Sequence, residues 1–400
     1  MKILHTSDWH LGHRLYEQSQ HEEQSLFLNW LEAYIRNHQI DVLLVAGDVF
    51  DTGVPSTQSQ KLYYNFLISL KNTTCKHIVI TGGNHDAPGT LNAPKALLEA
   101  LAIYVVGKAT DKLEDEIFEL KVNDEEIIVA AVPYLRDQDI RRAVAGESFE
   151  QIGDRYKRAL VNHYTELSGH CKKYHNTPVI AMGHLFALGG STSDSEQTIY
   201  VGNLGDIGAE DFPPVFDYIA LGHLHRYQKV GNLNHIRYSG SPYTLSFSEV
   251  GNDKQVVILE TEEGKIKDIR GVTLPVFREI RRVSGTLEAC IAGLKSIHAE
   301  SHVLTPWVEV VLDPQKNTSI GYLEINKVAE ELNLEVLKVT LNRERKIAGL
   351  EELIEKTQHI KDLSPIEVFK MKCREQNFEL TKRADIMDAF NEVLQQVKEG

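Results

Sequence analysis

Ile3-Leu4-His5-Thr6-Ser7-Asp8-Trp9-His10 decides how this chain is read. A short apolar strand ends on Ser7-Asp8 and hands a carboxylate and an imidazole, Asp8 and His10, to whatever follows. The same arrangement recurs down the chain. Val42-Leu43-Leu44-Val45-Ala46 ends on Gly47-Asp48, and His77-Ile78-Val79-Ile80 leads to Gly82-Gly83-Asn84-His85-Asp86. Pro178-Val179-Ile180-Ala181-Met182 leads to Gly183-His184. Tyr218-Ile219-Ala220-Leu221 leads to Gly222-His223-Leu224-His225. Helical spacing fills the first gaps: Leu26, Trp30, Ala33 and Tyr34 share a face within 19–38. Leu62, Phe66 and Leu70, with Tyr63 and Leu67 beside them, do so within 56–71. Val256-Val257-Ile258-Leu259 closes the region as a strand. Strand alternating with helix predicts an α/β fold, and ligands in such sheets bind outside the strands' carboxyl ends.

Each polar cluster has an ordinary reading alone. Asp48 suits a turn or a helix N-cap, Asn84 suits a Gly-Gly-Asn turn, and a lone His184 suits a packed interior. Five strand ends in succession, four beside a glycine, do not fit that reading. His223 and His225 also alternate, so extended backbone aims both the same way. Asp8, His10, Asp48, Asn84, His184, His223 and His225 exceed the needs of one tetrahedral ion. Two cations about 3.5–4 Å apart, sharing a carboxylate, would employ all seven and activate a water as nucleophile. Asp48, central in the order and with two oxygens, is the expected bridge. Mixed imidazole and oxygen donors suit Mn, Fe or Zn rather than an all-oxygen calcium or magnesium cage. His85 is left over, placed to stabilise phosphoryl charge or protonate a leaving oxygen.

The 400 residues, 42% hydrophobic, predict two or three domains with a sizeable core. No run of 18 apolar residues predicts a membrane span, and the N-terminus reads as a first strand rather than a signal peptide. Cys75, Cys171, Cys290 and Cys373 lie far apart, without a C-x-x-C pair, which fits reduced thiols in a cytoplasm. A net charge of −14 argues against a protein that coats nucleic acid through its general field. Bound cations, as the largest local charges, answer part of that objection. Beyond about residue 272 the pattern changes. Strands at 276–283, 307–312 and 334–341 alternate with helices at 286–298 and 321–332, a small α+β unit without ligand candidates. From about 343 the chain is polar and helical. Ser364-Pro365 with Glu367 marks one helix start, and a last helix runs from about Thr381.

Asp8-x-His10, Gly47-Asp48-x-x-Asp51, Gly83-Asn84-His85-Asp86, Gly183-His184 and Gly222-His223-x-His225 together resemble the calcineurin-like metallophosphoesterases. Three longer stretches, Leu4 to Gly12, Ala46 to Gly53 and Ile219 to His225, and Tyr238-Ser239-Gly240-Ser241-Pro242 look like one branch, the SbcD-type DNA repair nuclease subunits. The resemblance covers about residues 1–270 by motif and the rest by layout. It implies an α/β metallophosphoesterase β-sandwich flanked by helices over 1–272, a DNA-capping α+β domain over 273–341 and partner-binding helices over 342–400. It implies that Asp8, His10, Asp48 and His225 hold one manganese, that Asp48, Asn84, His184 and His223 hold the other, and that His85 acts on the scissile phosphate. The implied activity is DNA phosphodiester cleavage, as a duplex exonuclease and a single-strand or hairpin endonuclease in repair, recombination and replication. The implied setting is cytoplasmic and nucleoid-associated, as a homodimer joined through helices such as 56–71 and bound to an SbcC-type coiled-coil ATPase. No G-x-x-x-x-G-K-[ST] is present, so ATP dependence would come from that partner.

Three other functions fit less of the sequence. A phosphomonoesterase or protein phosphatase of this fold usually carries an arginine after its Gly-Asp segment, where this chain has Asp51-Thr52-Gly53. A non-catalytic scaffold usually loses ligands, and none is missing. A cyclic-nucleotide phosphodiesterase would not need the last third of the chain.

Overall fold

A computed structural model describes residues 1–136, 149–187, 207–300, 302–313 and 318–342, together with Asp139 and Glu196. The chain divides into two compact units, Met1–Leu341 and Asn342–Gly400. The helices expected over 342–400 lie outside the described residues.

The central strands are buried on both faces, as uninterrupted apolar runs require. In chain order the strands are β1 (Lys2–Thr6), a small hairpin β2 (Arg14–Leu15) and β3 (Gln18–Ser19), β4 (Val42–Ala46), β5 (His77–Thr81) and β6 (Ile103–Val106). β7 (Ile117–Val122), β8 (Glu125–Ala131), β9 (Val179–His184), β10 (Tyr218–Gly222), β11 (Gln228–Lys229) and β12 (Ile236–Tyr238) follow, then β13 (Gln255–Glu262) and β14 (Lys265–Thr273). They form two six-stranded sheets, ordered β14-β13-β1-β4-β5-β6 and β11-β12-β10-β9-β8-β7. Strands β1, β4, β5 and β6, and likewise β8, β9, β10 and β12, run parallel.

The helices are α1 (His21–His38), α2 (Thr57–Ser69), the short α3 (Pro88–Asn92) and α4 (Lys95–Glu99), and α5 (Phe149–Cys171). Alternate side chains divide three layers of core. Ile3, Leu44 and Val79 of one sheet meet Val129, Met182 and Ala220 of the other. Leu4, Leu43 and Val45 face outward onto Phe27, Leu31 and Ile35 of α1 and Phe66 and Leu67 of α2. Ala181 and Leu221 face outward onto Tyr156, Leu160 and Tyr164 of α5. The result is the helix-flanked sandwich that the resemblance implied.

The face of α1 differs from the expected one. Its buried line is Glu23, Gln24, Phe27, Leu28, Leu31 and Ile35, while Leu26, Trp30 and Tyr34 are half-buried and Ala33 exposed. Two polar residues occupy the buried line because Glu23 pairs with Arg278 and Gln24 supports the first loop. Gln24 accepts from the Gly12 N–H (3.1 Å) and donates to the His10 carbonyl (3.2 Å).

Beyond the sandwich come β15 (Ile280–Gly285), α6 (Leu287–His298), β16 (Trp307–Leu312), α7 (Thr318–Glu331) and β17 (Glu335–Leu341). β15 starts four residues later than the 276–283 reading. All three strands are parallel, in the order β15-β16-β17, so the small unit expected here is built as two successive βαβ crossovers. Trp307 and Ile280 pack on Leu15 and Phe247 of the sandwich unit. The Arg278 guanidinium lies over the Trp307 ring and pairs with Glu23 at 2.6 Å and Glu22 at 3.0 Å on α1.

Candidate metal centre

The loops that leave β1, β4 and β5 are built as one piece. The Asp8 N–H donates to the Gly47 carbonyl (3.1 Å), and those of His10 and Leu11 donate to the Asp48 and Val49 carbonyls (3.0 and 2.9 Å). Asp8, His10 and Asp48 have φ of 54°, 42° and 48°, and His223 has 102°. Left-handed backbone at a residue with a Cβ costs on the order of 1–3 kcal/mol and persists where its surroundings hold it. Here the inter-loop hydrogen bonds do the holding. Two glycines make room for the closure. A Cβ on Gly83 would overlap the Asp48 carboxylate, and one on Gly222 would overlap the Ala46 carbonyl oxygen.

All eight expected residues converge. Asp48 Oδ2 lies 3.5 Å from His10 Nε2 and 3.2 Å from His184 Nε2. Asn84 Oδ1 is 2.9 Å from His184 Nε2, and Asp8 Oδ1 is 4.0 Å from His184 Nδ1. The His223 ring stands 5.4 Å from that of His184, and the His225 and His85 rings stand 5.0 and 4.8 Å from that of His10. One atom each from Asp8, His10 and His225 lies close enough to share an ion, and so does one each from Asp8, Asp48 and His184. Asp48 Oδ1 accepts the His85 N–H (2.9 Å), and Oδ2 lies near both flanking histidines.

The donor set fits divalent cations. His184 Nδ1 must donate to the Ala46 carbonyl at 3.0 Å, which leaves Nε2 a lone pair. That lone pair, Asn84 Oδ1 and Asp48 Oδ2 then face one another, and only a proton or a cation reconciles them. His10 is buried, and among the described residues neither ring nitrogen makes a well-aligned hydrogen bond, with Asp51 Oδ1 3.3 Å from Nδ1, although such nitrogens are normally satisfied.

Charge in the protein alone is poorly balanced. Burial pushes the Asp8 carboxyl up to about 6 and the His10 imidazole down to about 4. Burial would also raise Asp48, but the imidazoles of His184, His10 and His85 outweigh it and hold that carboxyl well below the usual range. Burial opposes the charge on His184, yet the Asp48 carboxylate lifts it to about 9, while burial and the neighbouring His184 drive His223 well down. Buried carboxylates and imidazoles that compete for protons will exchange them for metal.

Other residues carry the site without having stood out in sequence. Asp86, quoted in the motif but given no role, accepts the N–H groups of Val49 (3.1 Å), Phe50 (3.0 Å) and Gly83 (2.9 Å). Asp51 Oδ1 lies 2.8 Å from His13 Nδ1, and the Asp51 carbonyl accepts from His85 Nδ1 at 2.8 Å. His85 Nε2 is therefore the basic nitrogen of a half-buried ring. Glu249 lies 3.2 Å from His225 Nδ1. Ser239 supports Ser7 at 2.8 Å, and Ser7 in turn donates to Asp8, which gives the Tyr238–Pro242 stretch its use.

Comparison with known proteins agrees with this geometry. Residues 1–227 match the family described as calcineurin-like phosphoesterase. Residues 276–377 match the SbcD C-terminal family, described as the type 5 capsule protein repressor C-terminal domain. The SbcD component of the Escherichia coli K12 nuclease SbcCD is 33% identical over 397 residues, covering 98% of both chains. Its counterparts of the same name from Bacillus subtilis and Rhodobacter capsulatus are 34% and 37% identical, each over 66% of this chain and 67% of its own. No helix among the described residues is long and apolar enough to cross a membrane.

Proposed function

Because this chain belongs to the calcineurin-like phosphoesterases, and within them to the SbcD family of the SbcCD nuclease, we propose that it cleaves DNA phosphodiester bonds with a pair of manganese ions. Membership makes it a metal-dependent phosphoesterase of nuclease type; the ion pair, its identity and the DNA structures attacked are our reading. The observation that supports it above all is Asp48 Oδ2, a single oxygen within 3.5 Å of histidines on two sides. Asp8, His10, Asp48 and His225 would hold one ion, and Asp48, Asn84, His184 and His223 the other. Each set draws on loops from both sheets. When bound, such a pair supplies Lewis-acid charge for the phosphate and an activated water.

The protein's own contribution is placement. His85, held at Nδ1 by the Asp51 carbonyl, would face the scissile phosphate through Nε2 and meet developing negative charge or the leaving oxygen. Residues 1–272 would be the nuclease domain and 273–341 a DNA-contacting cap. Residues 342–400 would bind an SbcC-type ATPase, the partner implied by the relatives' name. A homodimer through helices such as α2 belongs to the same proposal. Action in the cytoplasm, at the nucleoid, completes the proposal.

The test is cleavage of blunt duplex, hairpin and single-stranded DNA with manganese, with and without the ATPase partner and ATP, beside an aryl phosphate monoester. Manganese-dependent cutting of single strands and hairpins by the chain itself, and ATP-dependent attack on duplex ends with the partner, are expected. Rapid turnover of the monoester with intact DNA would make the protein a phosphatase instead.

A further inference from the structure

Glu249 lies outside every motif that marks the centre. It ends a short helical turn, Phe247–Glu249, in the loop between β12 and β13, yet its side chain is 1% exposed. A carboxylate in that position needs partners, and it has them on every side. Oε2 accepts from Lys254 Nζ (2.5 Å), from the Leu245 N–H (3.2 Å) and from Ser241 Oγ (3.5 Å). Oε1 meets His225 Nδ1 at 3.2 Å. Lys254 is itself largely buried and also reaches Ser241 Oγ at 2.7 Å.

We propose that Glu249 is a positioning residue for the centre, its carboxylate accepting the Nδ1 proton of His225 and so turning Nε2 toward the ion shared with Asp8 and His10. An ionised carboxylate can only accept, so the Nδ1–H tautomer follows from the contact. One nitrogen of the His225 ring lies within reach of the Asp8 and His10 donors, and with Nδ1 engaged by Glu249 the proposal assigns that nitrogen as Nε2. His184 and His85 are fixed in the same sense by neutral backbone carbonyls, those of Ala46 and Asp51. At His225 the acceptor carries a full charge, which makes the ring a stronger donor to a cation. Lys254 neutralises that charge, so the carboxylate stays ionised in a dry site. The alternative is that Glu249 merely neutralises Lys254 and ties down the 241–249 loop.

This inference rests on the two-ion reading, and the experiment separates them. Manganese is titrated calorimetrically into the full chain, into Glu249→Gln, and into Glu249→Gln/Lys254→Met, which leaves no lone buried charge. In parallel the His225 ring nitrogens of the wild type are observed by nitrogen NMR, assigned by their loss in His225→Ala. We expect two ions per wild-type chain, and in the folded variants one ion at wild-type affinity and the other weakened about 10–100-fold. The wild-type ring is expected to carry its proton on Nδ1. A proton on Nε2, or both ions bound at wild-type affinity in a folded variant, overturns the role of Glu249. Equal weakening of both ions does so too, because it marks a general structural effect. Fewer than two ions on the wild type removes the two-ion reading, and the tautomer then decides the Glu249 contact by itself.

Discussion

Replacing Asp86 with alanine tests how much of the centre depends on one carboxylate that touches no expected cation. Asp86 is buried and receives three backbone N–H groups, from Val49, Phe50 and Gly83, at 2.9–3.1 Å. These belong to the loops that present Asp48, Asn84 and His85. Hydrogen bonds to a charged acceptor contribute about 1.5–3 kcal/mol each, and the alanine leaves all three donors unsatisfied where no side chain can replace the oxygens. Bonds that share one acceptor group do not add fully, so the expected loss is roughly 4–6 kcal/mol. That is a large part of the ~5–15 kcal/mol that a domain commands. Asp86→Asn retains one acceptor oxygen and should fall between. Urea denaturation with chelator present reads the stability, and manganese titration reads the site, where both ions should bind more weakly. An Asp86→Ala chain within about 1 kcal/mol of the wild type, with unchanged manganese affinity, would refute the view that this carboxylate ties the two loops together.

His85→Ala should keep both manganese ions and lose about 10²–10⁴-fold in cleavage rate; parallel loss of an ion, measured by metal analysis, would make His85 a ligand. His184→Ala should retain one ion and little activity, and a fully active variant is incompatible with the assignment of ligands. His5, buried against the Tyr218 hydroxyl at 3.0 Å, gives a pH effect of definite sign. Burial lowers its pKa to about 3, below the ordinary 6.5, so the unfolded chain binds the extra proton between those values. Stability should therefore fall as pH drops from about 6.5 toward 3, by up to roughly 5 kcal/mol from this group. Denaturation curves of His5→Gln should show a shallower slope across that window, and an identical slope would assign the effect elsewhere.

The ligand loops were legible because their signal is local: an apolar strand, a small residue, then a donor. The division into two sheets came from the family resemblance and not from the strand pattern, since strands such as β4 and β10 are buried on both faces and their residues do not say which neighbour each face meets. The face of α1 was misjudged for a related reason. Glu23 and Gln24 are buried to serve Arg278 and the Gly12 loop, which no periodicity of apolar residues reveals. β15 was placed too early because Val276 and Phe277 are apolar positions just ahead of it, although the ladder begins only at Ile280. Asp86 could have been found as the last residue of a quoted motif. Glu249 left no trace, for Ser246-Phe247-Ser248-Glu249 reads as a loop until Lys254 and His225 close around it.

Asp8, His10, Asp48 and Asn84 hang from one leaf of the sandwich and His184, His223 and His225 from the other. The distance across the centre is therefore set by the thickness of the apolar filling between the leaves, where Val79, Met182 and Ala220 lie. A methyl group removed there, remote from any donor atom, would let the leaves approach and change the spacing of the cations before it changed the fold. Cations bound at the rim would in turn rivet the leaves together, so that chelation loosens the whole sandwich rather than one pocket.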